Sequence, residues 1–192
     1  WLECSDNQLS NLDLSQNTAL IYLSSYSNQL INLDVSGCPA LYYLFCSNNQ
    51  LTNLDVTNNP ALTYLSCGSW DYDNENVFGG NQLTSLDVSN NSALTLLSCD
   101  SNQLTSLDVS GCPVLSRLSC VSNQLTSLDI SNNPNLNVLY CWNNQLGCLN
   151  LKNGNNNNLS AWVFNNPNLT CIEVDDADYS NANWLNSDDF LL

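Results

Sequence analysis

The sequence repeats with a period of 21 residues, and this repeat constrains the fold more than any other feature of the chain. The segment Asn-Gln-Leu-Thr-Ser-Leu-Asp-Val-Ser occupies 102–110 and returns almost unchanged at 123–131. Related copies begin at Asn7, Asn28, Asn49, Asn81 and Asn144. Such a repeat is typical of a solenoid, in which each coil buries its apolar face only against its neighbours. The variable positions that the frame presents to solvent are then the candidates for function.

Within each unit, two short alternating segments predict two strands. Leu118 and Cys120 alternate with Arg117 and Ser119, and Leu128 and Ile130 alternate with polar residues in the same way, as strands with one buried face require. No apolar run has helical periodicity over ten residues. The sequence therefore predicts a mainly β solenoid with a concave parallel sheet, a second row of short strands and little helix.

Written from its first leucine, the unit is L-x-x-L-x-C-x-x-N-Q-L-T-x-L-D-V-S-x-N-x-x, which resembles the leucine-rich-repeat pattern L-x-x-L-x-L-x-x-N-x-L. The resemblance covers 1–174 in about eight repeats, with an 11-residue insertion within 68–80, and leaves 175–192 as a predicted C-terminal cap. The architecture is similar to that of internalins, and the segment 166–176 resembles the terminal motif of leucine-rich-repeat proteins secreted by flavobacteria. The resemblance implies that the asparagine of each unit points inwards and hydrogen-bonds the backbone of its own coil and the next.

Charge and composition exclude several function classes. Eighteen acidic residues face only Arg117 and Lys152, so the net charge is −16. Such a charge repels nucleic acid and anionic membranes, and no apolar stretch is long enough for a transmembrane helix. The chain has no histidine, which removes Ser-His, Cys-His and most metal-water chemistry. We therefore expect no enzyme, no nucleic-acid partner and no membrane insertion.

Most of the ten cysteines are predicted to be structural. One buried strand column contains Cys4, Cys46, Cys67, Cys99, Cys120 and Cys141, with Ser25 and Phe164 in the same place. A cysteine that alternates with serine and phenylalanine acts as a small apolar filler. Cys148 and Cys171 differ, because each directly precedes the inward residue of adjacent units, where stacked neighbours lie within reach of a disulfide. A bridge and two free thiols both remain open for this pair.

Aromatic side chains on the concave strand are the leading candidates for ligand contact. The third position of the unit carries four successive aromatics, with Tyr26 and Phe45 beside them, and a smaller patch lies further along; the candidates are Trp1, Tyr22, Tyr26, Tyr43, Phe45, Tyr64, Tyr140 and Trp142. Cross-strand aromatic pairs also stabilise sheets by about 0.2–1 kcal/mol each. Because the leucine columns already stabilise the frame, an exposed aromatic patch favours a binding site.

The insertion leaves the end of the concave strand and should overhang this patch. Trp70 and Tyr72 are predicted ligand anchors, since recognition concentrates on loops carried by a rigid scaffold. Asp71, Asp73 and Glu75 have the alternate spacing of a calcium loop, but the later glycine and bidentate glutamate of such loops are missing. Bound Ca²⁺ is therefore a hypothesis beside an ordinary solvated loop, and we expect no other cofactor.

An outward column of aspartates accounts for much of the charge: Asp13, Asp34, Asp55, Asp87, Asp108 and Asp129. At a coil spacing near 4.8 Å, neighbouring carboxylates repel by about 0.9 kcal/mol even in water. Hydrogen bonds from the serine or threonine two residues on would offset this repulsion, and bridging cations are the alternative.

The sequence thus favours a monomeric, secreted or cell-surface adhesion module, bacterial in origin, that binds a protein through the concave aromatic face and the 68–80 loop. A carbohydrate-binding module is the first alternative, because tyrosine and tryptophan faces stack on sugar rings. A structural spacer or stalk of a larger surface protein is the second.

Overall fold

A computed structural model describes residues 1–68, 79–183 and 190–191 of the chain. Within them, one helix, α1, spans Ala177–Asn183, and a single 3-10 turn spans Asn156–Asn158. The strands are two or three residues long: β1 Leu2–Glu3, β2 Tyr22–Ser24, β3 Tyr43–Phe45, β4 Tyr64–Ser66, β5 Leu96–Ser98, β6 Arg117–Ser119, β7 Ser127–Asp129, β8 Val138–Tyr140, β9 Cys148–Asn150, β10 Ser160–Trp162, β11 Cys171–Glu173 and β12 Phe190–Leu191.

Nine of these strands form one parallel sheet, with one strand from each successive coil. Their order is β1-β2-β3-β4-β5-β6-β8-β10-β12. In each regular pair the inward leucines are register partners, as Leu23 is of Leu44 and Leu97 of Leu118. In these three-residue strands the middle side chain therefore points into the core and is buried. The predicted mainly β solenoid with a concave parallel sheet and little helix is confirmed.

The second row of strands is narrower than the sequence predicts. It comprises β7, β9 and β11 only, in the order β11-β9-β7. In the coils before β7, the backbone carbonyls at the end of the Leu-Asp-Val segment accept hydrogen bonds from side chains of the next coil along the chain. Asn59 Nδ2, for example, donates to Val35 O at 3.0 Å and to Cys38 O at 2.8 Å. Because side-chain amides satisfy these carbonyls, the coils stay joined here without a regular ladder.

Leucines and a ladder of asparagines hold the coils together. The leucines that begin each unit and those of the strands are almost fully buried in one continuous core. Asn123 is representative of the ladder: its Oδ1 accepts from Leu104 N of the preceding coil at 3.0 Å, and its Nδ2 donates to Cys99 O and Cys120 O at 3.0 and 3.2 Å. Asn166 makes the same bonds one coil beyond the predicted column. The side-chain amide of one asparagine thus hydrogen-bonds each bend to the backbone of its own coil and of the preceding coil.

The last regular strand lies one residue out of the predicted register. A unit that begins at Leu159 places Trp162 at the inward position of the strand, in the place of the usual leucine. In the structure Ala161 occupies that position, since it is fully buried and pairs with Leu139. Val163, and not Phe164, then follows Cys141 in the buried column. The polar segment 152–158 changes the length of this coil, which is why counting from Leu159 misplaced the strand. Trp162 and Phe164 point to the concave face instead.

The C-terminal end combines α1 with β12. Strand β12 adds to the edge of the concave sheet beside β10. Ser180 Oγ donates to Asp176 O at 2.7 Å, and Tyr179 N donates to the Asp176 carboxylate at 2.9 Å, so Asp176 caps the start of α1. Residues 184–189 and 192 of the predicted cap lie outside the described residues.

Candidate functional site

Aromatic rings from β2, β3, β4 and the residue that precedes β1 form one patch, the N-terminal platform, made of Trp1, Tyr22, Tyr43, Phe45 and Tyr64. The strand register makes Tyr22 the partner of Tyr43, and Tyr43 the partner of Tyr64. Their ring centroids lie 5.9 and 5.2 Å apart, and Phe45 lies 5.6 Å from Tyr22. The structure therefore brings together five of the sequence-predicted contact residues on one continuous surface.

Three exposed side chains widen the N-terminal platform at its flanks. Tyr26 and Tyr42 are each 39% exposed, and Ile21 is 55% exposed. Tyr42 packs edge-on against Tyr43 at 4.7 Å. Ile21 is a residue that the sequence analysis missed; it occupies the same position of its unit as Tyr42, so a scan of the second column for apolar residues finds it. This flank supplies apolar area that the core does not use.

The platform rings cover one another in part. Trp1 and Tyr22 stack in parallel at 3.9 Å with an interplanar angle of 8°. Tyr43 and Phe45 are also nearly parallel, at 6.5 Å and 9°. Trp1 is nevertheless 81% exposed, so a ligand above the platform would meet an open indole face as well as ring edges and phenol hydroxyls.

Carboxylates lie at the N-terminal edge of the platform. Tyr22 Oη donates to Glu3 Oε2 at 3.4 Å. Burial acts to raise the pKa of Glu3, but hydrogen bonds from Ser5 and Ser24 outweigh it and leave this pKa lowered. Burial and the nearby charge of Asp6 raise the pKa of Tyr26. The phenols therefore stay protonated and the carboxylate ionised at neutral pH, which makes this edge negative.

Small polar residues occupy the middle of the concave face. The strand alternation predicts that Ser66, Ser98 and Ser119, in the fifth position of their units, face solvent, and this prediction is wrong, because all three are buried. Their hydroxyls are engaged below the surface: Ser98 Oγ and Ser119 Oγ both donate to the Asp100 carboxylate, the first at 2.7 Å.

Asp100 is a buried carboxylate that the sequence analysis did not single out. It is 1% exposed, and Val121 N also donates to it at 2.7 Å. Burial raises its pKa to about 6, despite the hydrogen bonds from Ser119, Ser98 and Val121 that act in the opposite direction. Gly68 and Gly80, which flank the insertion, pack directly on this backbone, and a Cβ at either position would overlap Asp100 or Ser101. The signal in the sequence is an aspartate at a unit position that otherwise carries serine, glycine or an apolar residue.

A second aromatic cluster lies at the C-terminal end of the concave face. Tyr140 and Trp142 come together as predicted, with ring centroids 5.4 Å apart. Trp162 lies 4.6 Å from Tyr140, and Phe164 stacks on Trp142 at 5.2 Å. The repeat pattern does not predict Trp162 and Phe164 as members of this cluster because of the one-residue slip in this coil. The alternation of buried Ala161 and Val163 with the two aromatics was the signal that could have placed them.

The predicted insertion contacts and calcium ligands belong to the segment 69–78. Trp70, Tyr72, Asp71, Asp73 and Glu75 lie outside the described residues. In the part of the chain that the structure describes, no group of three or more His, Cys, Asp or Glu side chains could hold a metal ion. Ca²⁺ binding therefore remains a prediction about the insertion alone.

The aspartate column is held by local hydrogen bonds, as one of the two sequence hypotheses required. In all six units, the carboxylate accepts from the backbone amide two residues on, at 2.8–3.0 Å. These amides, with the serine or threonine hydroxyls beside them, lower the pKa of each aspartate. The column remains ionised and solvent-exposed at neutral pH.

No family model matches the sequence, and no curated protein matches it as a relative. Solved structures do match. A leucine-rich-repeat protein of Leptospira interrogans is 25% identical with a TM-score of 0.68, over 88% of this chain and 46% of that one. An internalin of Listeria monocytogenes, InlF, is 22% identical with a TM-score of 0.57, over 88% and 58%.

The functional domain of InlJ from Listeria monocytogenes, which includes a cysteine ladder, is 31% identical over 90% of this chain and 48% of that one, with a TM-score of 0.39. The chain thus spans about half the length of each of these three structures. No helix among the described residues is long and apolar enough to cross a membrane. The 21-residue repeat, the β-solenoid that it builds and the likeness to the Leptospira and InlF structures show that the chain has the leucine-rich-repeat fold.

Proposed function

We propose that the chain is a non-catalytic recognition module that binds a protein partner through the N-terminal platform. The observation that carries this proposal is the continuous aromatic surface on β1–β4, whose flanks Tyr26, Tyr42 and Ile21 are exposed. Aromatic side chains are the commonest hot spots of protein interfaces. Exposed apolar area of this kind, rimmed by polar groups, is typical of interaction sites.

The ring geometry favours a protein over a carbohydrate. Sugar rings bind by stacking on an open aromatic face, but Trp1 covers Tyr22 at 3.9 Å and Tyr42 covers part of Tyr43. Trp1, which is 81% exposed, is therefore the main platform ring on which a sugar could stack. Phenol hydroxyls and ring edges suit the mixed polar and apolar surface of a protein. The negative edge at Glu3 and the net charge of −16 further favour a partner with basic residues at its contact surface.

We further propose that the module works as a monomer in a secreted or cell-surface bacterial protein and contributes to adhesion. The support is the fold that it shares with internalin structures. A spacer would not need the aromatic surface, because β5 and β6 belong to the same sheet and contain few aromatic residues. The 68–80 loop and the second aromatic cluster are proposed as additional contact areas.

The double substitution Tyr22→Ala with Tyr43→Ala tests the proposal. Each hot-spot truncation costs about 2 kcal/mol, so we expect affinity for the captured partner to fall by 100-fold or more. Partners would be captured from surface-protein extracts of intact cells, identified by mass spectrometry, purified and titrated by surface plasmon resonance. The matched control is Ile31→Ala with Val114→Ala, which removes exposed apolar side chains outside the platform.

Equal binding by the platform variant and the control would refute the proposal. A glycan array in parallel separates the alternatives: strong glycan binding that the platform variant loses would replace the protein hypothesis by the carbohydrate one. Circular dichroism and thermal unfolding of each variant would show that the fold is intact.

A further inference from the structure

We propose that Cys148 and Cys171 form an oxidisable dithiol site, which a disulfide-class oxidant converts into an intramolecular disulfide. The two residues are register partners on the parallel strands β9 and β11. Neighbouring strands lie about 4.8 Å apart, and register partners point to the same face. Their Cα separation therefore falls within the range of about 4.4–6.8 Å that disulfides require.

Accessibility separates this pair from the other cysteines. Cys148 is exposed and Cys171 is half-buried, and the hydrogen bond between the two thiols is the largest cause of the raised pKa of Cys171. Seven other cysteines are buried, and burial raises the pKa of Cys46 and Cys141 to about 12. Cys4 is partly exposed, but its thiol donates to a backbone carbonyl, at Ser24 O. An oxidant in solution thus meets one adjacent pair of thiols.

The surroundings of the pair permit the exchange chemistry. Lys152 lies two residues beyond β9, its Nζ is 2.7 Å from Oε2 of Glu173 on β11, and its positive charge acts to lower the pKa of Cys171. One thiol loses its proton and attacks the oxidant RSSR, which releases RS⁻ and leaves a mixed disulfide. The second thiol, deprotonated in turn, attacks the protein sulfur and releases another RS⁻. In sum, two cysteine thiols and RSSR give the cystine and two RSH.

The bridge would fix the least regular part of the solenoid. It closes the segment 148–171, which contains the polar stretch 152–158 and the slipped strand β10. Its second end lies six residues before α1. Because the ends of a repeat array open most readily, a cross-link between β9 and β11 stabilises the end more than the middle. Oxidation would therefore stiffen the C-terminal coil and leave the N-terminal platform unchanged.

The test uses the purified 192-residue chain, incubated with oxidised glutathione or with a phosphine reductant, then alkylated and digested. We expect a peptide that links Cys148 to Cys171 in the oxidised sample only. Amide hydrogen exchange over 148–183 should slow at least about tenfold on oxidation, with no change over 22–66.

Cys148→Ser and Cys171→Ser are the test variants, and Cys4→Ser is the control. Each test variant should lose the linked peptide and the slowing, while the control keeps both. The proposal is overturned if peptide mapping finds glutathione adducts without the cross-link, or if exchange slows equally in Cys148→Ser. Unchanged exchange despite a complete cross-link would overturn the stabilising role.

Discussion

Asp100→Asn should stabilise the protein at neutral pH and have little effect in acid. Asp100 is buried in the middle of the concave face, and burial raises its pKa from 3.8 to about 6. Between these values the folded state holds a proton that the unfolded chain releases. The stabilisation from this proton is complete below pH 3.8 and is lost as the pH rises through about 6.

The size of the effect follows from the pKa difference. About two pKa units at 1.36 kcal/mol each give about 3 kcal/mol, which is the free energy by which ionising Asp100 destabilises the fold above pH 7. Asparagine has the shape of the protonated acid and carries no charge. Its Oδ1 can still accept from Ser119 and Val121, and the Ser98 hydroxyl can rotate to accept from Nδ2.

Urea denaturation of the wild type and Asp100→Asn at pH 3.5, 5 and 7.5 measures the difference. We expect the variant to gain about 2–3 kcal/mol at pH 7.5 and nearly nothing at pH 3.5. Asp108→Asn is the control, because hydrogen bonds from Ser110 lower the pKa of Asp108, so this variant should lose stability at pH 7.5 and less in acid. A loss of stability in Asp100→Asn that is the same at every pH would refute the reasoning, since it would mean that the hydrogen bonds and not the charge dominate.

Two further predictions concern the frame. Asn123→Ala leaves Leu104 N, Cys99 O and Cys120 O buried without their partner, at about 1–3 kcal/mol each, so thermal unfolding should show a loss of at least about 3 kcal/mol. The exposed Asn132→Ala should stay within about 0.5 kcal/mol, and a similar loss in both variants would contradict the ladder. The net charge of −16 predicts a melting temperature that rises with salt near 0.1 M, whereas a true calcium site should act at millimolar Ca²⁺. Equal curves for Ca²⁺ and a monovalent salt of matched ionic strength would exclude bound calcium.

The repeated frame could be predicted from the sequence because one strong rule governs the residues at each repeated position of the unit. Inward leucines recur at a fixed spacing, and a strand with one buried face must alternate, so Leu118 and Leu139 could be placed without a structure. The asparagine ladder followed from the resemblance to leucine-rich repeats, and its bonds are those seen at Asn123. The bonds from Asp108 to the residue two positions on were likewise predictable, since they depend on local geometry alone.

What the sequence could not predict depends on contacts between coils. The slip that turned Trp162 outwards came from the length of the 152–158 segment, which carries no leucine to fix its register. The burial of Asp100 could not be predicted because it arises from neighbouring coils and from the close backbone approach at Gly68 and Gly80. The second strand row stops at β7 because side-chain amides such as Asn59 replace backbone pairing, and no periodicity distinguishes the two.

The sheet itself explains why the N-terminal platform indicates a function and not a structural need. Strands β5 and β6 pair in the same parallel register as β2 and β3, yet they present Leu96 and Arg117 where the others present Tyr22 and Tyr43. Outward aromatic pairs contribute about 0.5–1.5 kcal/mol beyond their burial, whereas each inward leucine is worth about 2–5 kcal/mol when truncated to alanine. The buried leucines therefore suffice to stabilise the sheet, which does not require the aromatic residues that are concentrated on β1–β4. A partner that binds to the platform would explain why aromatic residues are concentrated there. Function is therefore tested with variants of the platform and not with variants of the core.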